Sequence, residues 1–192
     1  FQQVLQKFPA FEQRDAVQFN LGLALYNVAL ASKAPDGFHA AAAEFAKVPA
    51  QHAGSQHIPS ALYYQAECVF QAGDSAGAIA VYQTLIAKHG NSALLPTAIF
   101  ALATTQQQLQ KSTEAVATYR LFLQKFPRDS KVAECRLRLG LALTETTKHA
   151  EAEKEFAIAA AVKDFAMADL ALFHQARAKH EQKQLPQAAA LF

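Results

Sequence analysis

The 192-residue chain carries 18 Lys and Arg against 16 Asp and Glu, a formal charge of +2, and is 52% hydrophobic with a mean hydropathy of +0.00. It is too apolar and too weakly charged to be disordered, too poor in β-branched residues and glycine to be mostly sheet, and without the Lys/Arg stripe that a phosphate backbone requires. More than a fifth of the chain is alanine, with leucine and glutamine also abundant; these good helix formers predict an all-α protein.

The chain opens inside a second helix, because residues 1–9 match residues 119–127 down to a shared Leu-Gln-Lys-Phe-Pro ending. Apolar residues at i, i+3, i+4 and i+7 then predict helices over 13–30, 38–48, 58–72, 75–89, 93–109, 111–126, 130–146, 148–163 and 165–183. Turn signals separate them at Gly73-Asp74, Gly90-Asn91-Ser92 and Pro127-Arg128-Asp129-Ser130. Pro59, Pro96 and Pro186 sit near helix starts, where the missing N–H costs nothing. The last segment, ending at Phe192, starts another helix. No apolar run approaches the roughly 18 residues needed to cross a bilayer, which speaks against direct membrane insertion.

Three columns of residues recur along this series. A small residue stands at Ala66, Ala103, Gly140 and Ala176, at spacings of 36–37 residues. An alanine follows twelve positions later, at Ala78, Ala115, Ala152 and Ala188, and an aromatic four beyond that, at Tyr82, Tyr119, Phe156 and Phe192. Small residues at fixed places let two antiparallel helices approach closely, and the aromatic is expected to fill the volume between one pair and the next. Each unit therefore reads as a helix pair, and residues 1–192 as a single array of about five units. A natural array ends in polar capping helices. Ends that fall inside second helices predict a fragment of a longer solenoid. Gly22 to Ala66 spans 44 residues, seven more than the regular spacing. Insertions of this kind usually map to loops, so the excess is expected in 31–37, in 49–57, or in both.

The combination of Leu21-Gly22 with Leu25-Tyr26, of Leu139-Gly140 with Ala152 and Phe156, and of a closing Pro127 after Ala115 and Tyr119 resembles the tetratricopeptide repeat family. The first aromatic of the family pattern is missing, since the chain has no tryptophan. The resemblance implies an all-α fold: a right-handed α-solenoid of antiparallel helix pairs. The long units, the Lys-Phe-Pro helix ends and the Pro-x-Ala helix starts look like bacterial envelope-associated members, which favours the periplasm or cell envelope over the cytoplasm.

Candidate chemistry is sparse. Gly73-Asp74-Ser75-Ala76-Gly77 matches the G-x-S-x-G nucleophile elbow, but that turn needs a preceding strand, and here a helix precedes it. A helix stop followed by an N-cap explains the same residues. His52 and His57 share a loop, His174 and His180 lie six apart on one helix, and His39, His89 and His149 lie near helix ends. Such scatter does not make a metal site, which needs three or four converging ligands. Glu151, Glu153 and Glu155 open a helix where negative charge complements the dipole. Cys68 and Cys135, 67 residues apart, read as small apolar helix residues. No catalytic residue, cofactor or metal is predicted.

What remains is surface. In the family, first helices line the inner face of the superhelix. Register places Phe19, Asn20, Leu23, Tyr26 and Asn27 there from the first unit, and Tyr63, Tyr64 and Glu67 from the second. Phe100, Thr104, Gln107 and Gln108 follow from the third unit, Arg138, Leu141 and Glu145 from the fourth, and His174, Arg177 and Glu181 from the fifth. Aromatic area with amide side chains suits a peptide or protein segment. Members that grip a C-terminal carboxylate do so with Lys, Asn and Arg, whereas the corresponding places here hold Phe19, Leu23, Tyr64, Thr97 and Ala101. The expected function is a non-catalytic interaction scaffold with a protein or peptide partner and no nucleic acid. The alternative is a structural spacer whose exposed repeat ends assemble into homo-oligomers.

Overall fold

The computed structural model describes residues 1–191, and among these every regular element is helical. Phe192, the last aromatic of the repeating column, lies outside the described residues. The helices are α1 (Gln2–Lys7), α2 (Arg14–Ser32), α3 (Pro35–Gln51), α4 (Ile58–Gln71), α5 (Ser75–Lys88), α6 (Leu95–Gln108), α7 (Ser112–Lys125), α8 (Val132–Glu145), α9 (His149–Ala160), α10 (Ala168–Glu181) and α11 (Leu185–Ala189). They fall into two compact units, Phe1–Ala98 and a second beginning at Ile99, with the division inside α6.

In the first unit α2 packs on α3, α3 on α4 and α4 on α5, and α2 also touches α4. In the second the same order runs α7, α8, α9, α10, α11, with α8 touching α10. Within each unit a first helix thus neighbours the next first helix, as the repeat requires. The columns are the reason. A Cβ built on Gly22 would lie 2.7 Å from the Phe45 ring, and one on Gly140 would lie 2.5 Å from Phe156. The small residue is the floor on which the aromatic of its own pair rests. Ala66, Ala78, Ala103, Ala115, Ala152 and Ala176 are all fully buried, as are Phe45 and Tyr119.

The first pair corrects one expectation. Its seven extra residues are not in loops. α2 has 19 residues where α4 and α6 have 14, and α3 has 17 where α5 and α7 have 14. The turn between them is Lys33 and Ala34 alone, one residue shorter than the turn between α4 and α5. Ala41 and Phe45 then resume the alanine and aromatic columns, both fully buried. The insertion lengthens the hairpin at its tip, where Ala29 is buried against Gly37 while Val28 and Leu30 face solvent. α3 also continues past Pro49, beyond the predicted end at 48. α9 stops at Ala160 rather than 163.

A fourth column is backbone. The turn inside each later pair places one residue in the left-handed region: Gly73 (φ 92°), Gln110 (57°), Thr147 (60°) and Lys183 (62°). At Thr147 the N–H donates to the Thr144 carbonyl at 2.9 Å and the Lys148 N–H to Leu143 at 2.9 Å; the other three turns repeat this pair of bonds. This is the Schellman closure of a helix C-terminus, which favours glycine at that residue. Thr147 is β-branched and exposed. Thr147→Gly should therefore raise stability by about 1 kcal/mol, relieving left-handed strain at the expense of some unfolded-state entropy. A higher urea midpoint at constant slope checks it.

Candidate first-helix interaction surface

In the first unit an aromatic chain runs through the expected positions. Phe19 stacks on His57 (centroids 5.2 Å apart) and tilts against Phe45 at 5.7 Å. Tyr64 is the hub: it stacks on Phe45 at 5.5 Å, meets Tyr26 at 5.5 Å and Tyr63 at 5.5 Å, and reaches Phe19 at 6.2 Å. Phe19 and Tyr64 therefore join successive helix pairs, with only part of each ring at the surface. Asn20 and Asn27 are exposed or nearly so, and Tyr26, Tyr63 and Glu67 are half-buried. Tyr82, on the second helix α5, donates its hydroxyl to Glu67 Oε1. Burial, and after it the Glu67 charge, holds the phenols of Tyr26, Tyr63 and Tyr82 above their usual range.

In the second unit Phe100 is half-buried against Tyr119 and Phe122, with Lys131 Nζ 5.4 Å and Arg138 Cζ 5.7 Å from its ring centre. Arg138 Nε also donates to Glu134 Oε1 at 2.8 Å. Thr104 is tied to its own helix through the Ala101 carbonyl. The Tyr119 hydroxyl donates to Gln107 Oε1 at 3.2 Å, and Gln107 Nε2 donates to Glu145 Oε1 at 3.1 Å, while Gln108 is exposed. Leu141 and Glu145 on α8 and His174, Arg177 and Glu181 on α10 converge on one cavity of about 200 Å³. His149 completes its wall and keeps a buried Nδ1 without a hydrogen-bond partner among the described residues. His174 stacks on Phe156 at 5.3 Å, and burial, then Arg177, lowers its pKa.

Of these first-helix residues, Phe19, Tyr26, Tyr63 and Tyr64 are linked by ring contacts, Phe100 meets Arg138, Gln107 meets Glu145, and five share one cavity wall. Register misses Tyr82 and His149, on the second helices α5 and α9, and also Lys131, the residue just before α8. One signal was available: the aromatic column holds Tyr at 82 and 119 but Phe at 156. Both hydroxyls reach first-helix polar groups.

The remaining candidates resolve simply. Asp74 is the N-cap of α5, its Oδ1 accepting from the Gly77 N–H at 2.8 Å, so the G-x-S-x-G stretch is a helix–turn–helix. Cys68 and Cys135 are free and buried, with burial pushing both thiols up to about 12. Among the described residues no three His, Cys, Asp or Glu side chains converge as metal ligands, and no helix is long and apolar enough to cross a membrane.

Antiparallel helix pairs with neighbouring first helices, small residues under aromatics and a side-chain-rich first-helix face define the class of helix-pair repeat scaffolds. A family model described as tetratricopeptide repeat matches residues 60–92 and 97–129. Residues 60–92 and 97–129 are thus tetratricopeptide repeats. No curated protein matches it in sequence. Among solved structures it is similar to MamA 41-end from Desulfovibrio magneticus RS-1, with 16% identity over 91% of this chain and 91% of that chain and a TM-score of 0.71. It is also similar to MamA AMB-1, with 16% identity over 95% and 90% and a TM-score of 0.73. A third is the Podosopora anserina putative kinesin light chain with nearly identical TPR-like repeats, at 14% identity, 95% and 93% coverage and a TM-score of 0.68. At these identities the likeness concerns the fold.

Proposed function

We propose that the chain is a non-catalytic scaffold that binds a segment of a partner protein along its first-helix face. Repeats of this kind serve generally as protein-interaction scaffolds, and the fold encodes packing rather than chemistry. The supporting observation is the composition of that face in each unit. Half-buried rings (Tyr26, Tyr63, Phe100) stand beside exposed or half-exposed amides and carboxylates (Asn20, Asn27, Gln107, Glu145). Rings of this type bury area at low entropic cost, and the polar groups fix the register of a bound backbone. Tyr63→Ala and Phe100→Ala should each weaken a bona fide partner at least about tenfold, or about 1.4 kcal/mol, by calorimetric titration. Unchanged affinity in variants with intact circular dichroism would overturn the reading.

A second reading, self-assembly, is supported by Leu170, Leu172 and Phe173, which are 37–45% exposed together on α10. Light scattering across concentration separates the two, since a groove binder stays monomeric.

A further inference from the structure

In the first unit Glu67 is a half-buried carboxylate to which no Lys, Arg or His is ion-paired among the described residues. Other partly buried acids have cations: Glu44 has Lys47, Glu153 has Lys179 and Glu155 has Arg136. Glu67 has phenols instead. Tyr82, 1% exposed, donates from beneath. Tyr63 stands beside it, its ring 6.3 Å from that of Tyr82, and Tyr26 lies across Tyr64 at 5.5 Å. Hydroxyl donors occupy a carboxylate's lone pairs but bring no positive charge, so no ion pair among the described residues offsets it. Tyr26 and Tyr63 both sense its charge, and a carboxylate without a counter-ion attracts one kind of ligand.

We propose that Glu67, beside the phenols of Tyr63 and Tyr82, is a cation-binding subsite that takes the guanidinium or ammonium of an Arg or Lys side chain in the bound segment. This rests on the first-helix face being the binding surface and adds the charge of the residue that docks there. Phe19, Leu23 and Tyr64 offer nothing to grip a carboxylate, so this part of the face selects a positive group.

The chain has no tryptophan, and four of its five tyrosines (Tyr26, Tyr63, Tyr64 and Tyr82) belong to this cluster. Tyrosine fluorescence and aromatic NMR signals therefore report the site directly. The probes are N-acetyl-arginine amide, N-acetyl-lysine amide and the neutral isostere N-acetyl-citrulline amide, titrated into the whole chain. The charged probes should shift the Tyr26 and Tyr63 resonances saturably, more weakly as salt rises, and citrulline should not. Glu67→Gln removes the charge while its amide oxygen still accepts from Tyr82. It should weaken the charged probes at least tenfold with the fold intact by circular dichroism. Citrulline binding as well as arginine, or Glu67→Gln leaving arginine binding unchanged, would overturn the subsite. Those results leave the scaffold reading to its own test, because that test measures loss of the whole partner.

Discussion

Phe45→Ala should cost about 3–5 kcal/mol of folding stability, among the largest effects of any single truncation in this chain. The ring is fully buried, touches Gly22 on α2, stacks on Tyr64 of α4 and tilts against Phe19. Its removal opens a cavity where α2, α3 and α4 meet, and the neighbours have little freedom to close it. Helices on either side are held by their own contacts, so the surroundings relax only in part. Aromatic pairing adds to the loss beyond area alone. Urea denaturation measures the change, and the near-ultraviolet signal of Tyr64 should fall with it. A cost below about 1 kcal/mol would show that the aromatic column is not what joins the first two helix pairs.

The second large effect runs the other way, by adding atoms. Gly140→Val should destabilise by about 2–3 kcal/mol, and Gly140→Ala by less. On an open helix surface, replacing glycine by alanine gains up to about 1 kcal/mol of helix propensity. Here a Cβ would meet Phe156 carbons at 2.5–2.8 Å. The ring cannot swing away, since it is 1% exposed and stacks on His174. Gly54 supplies the control: nothing lies within 4 Å of its Cβ direction, so Gly54→Ala should be neutral. Combining Gly140→Ala with Phe156→Leu should recover part of the loss, which a general helix effect would not allow. Urea midpoints of the four variants decide the matter.

Both effects concern columns that are legible in the amino-acid sequence, because a repeated volume must be met by a repeated residue type. Helix pairs, their turns and their approximate bounds follow from the same repetition. Two features are not legible, for physical reasons. The left-handed turn residue is glycine at position 73 but Gln110, Thr147 and Lys183 in the later turns, so a backbone conformation held by hydrogen bonds leaves no constant mark on residue identity. The extra length of the first pair defeats the general rule that insertions sit in loops. Ala41 and Phe45 do carry the four-residue spacing that shows the columns resuming after the insertion. At the candidate surface, first-helix register gathers Leu141, Glu145, His174, Arg177 and Glu181 around one cavity. It overstates the availability of Phe19 and Tyr64, since helical phase tells which face a ring leaves from but not which neighbouring pair it fills. Tyr82 and His149 escape it because they arrive from second helices.

The lengthened α2–α3 hairpin implies a rule for how such an array changes length. In an antiparallel pair, residues added at the tip push outward on both arms, and every contact below the insertion keeps its partner. Gly22 still meets Phe45 although seven more residues separate them than separate the matching positions elsewhere. Hairpin tips are thus places where sequence drifts in length without disturbing the packing beneath, whereas the same seven residues placed between α3 and α4 would shift one pair against the next. For protein engineering the α2–α3 tip is a grafting point: an epitope or tag inserted beside Lys33 leaves the packed columns intact.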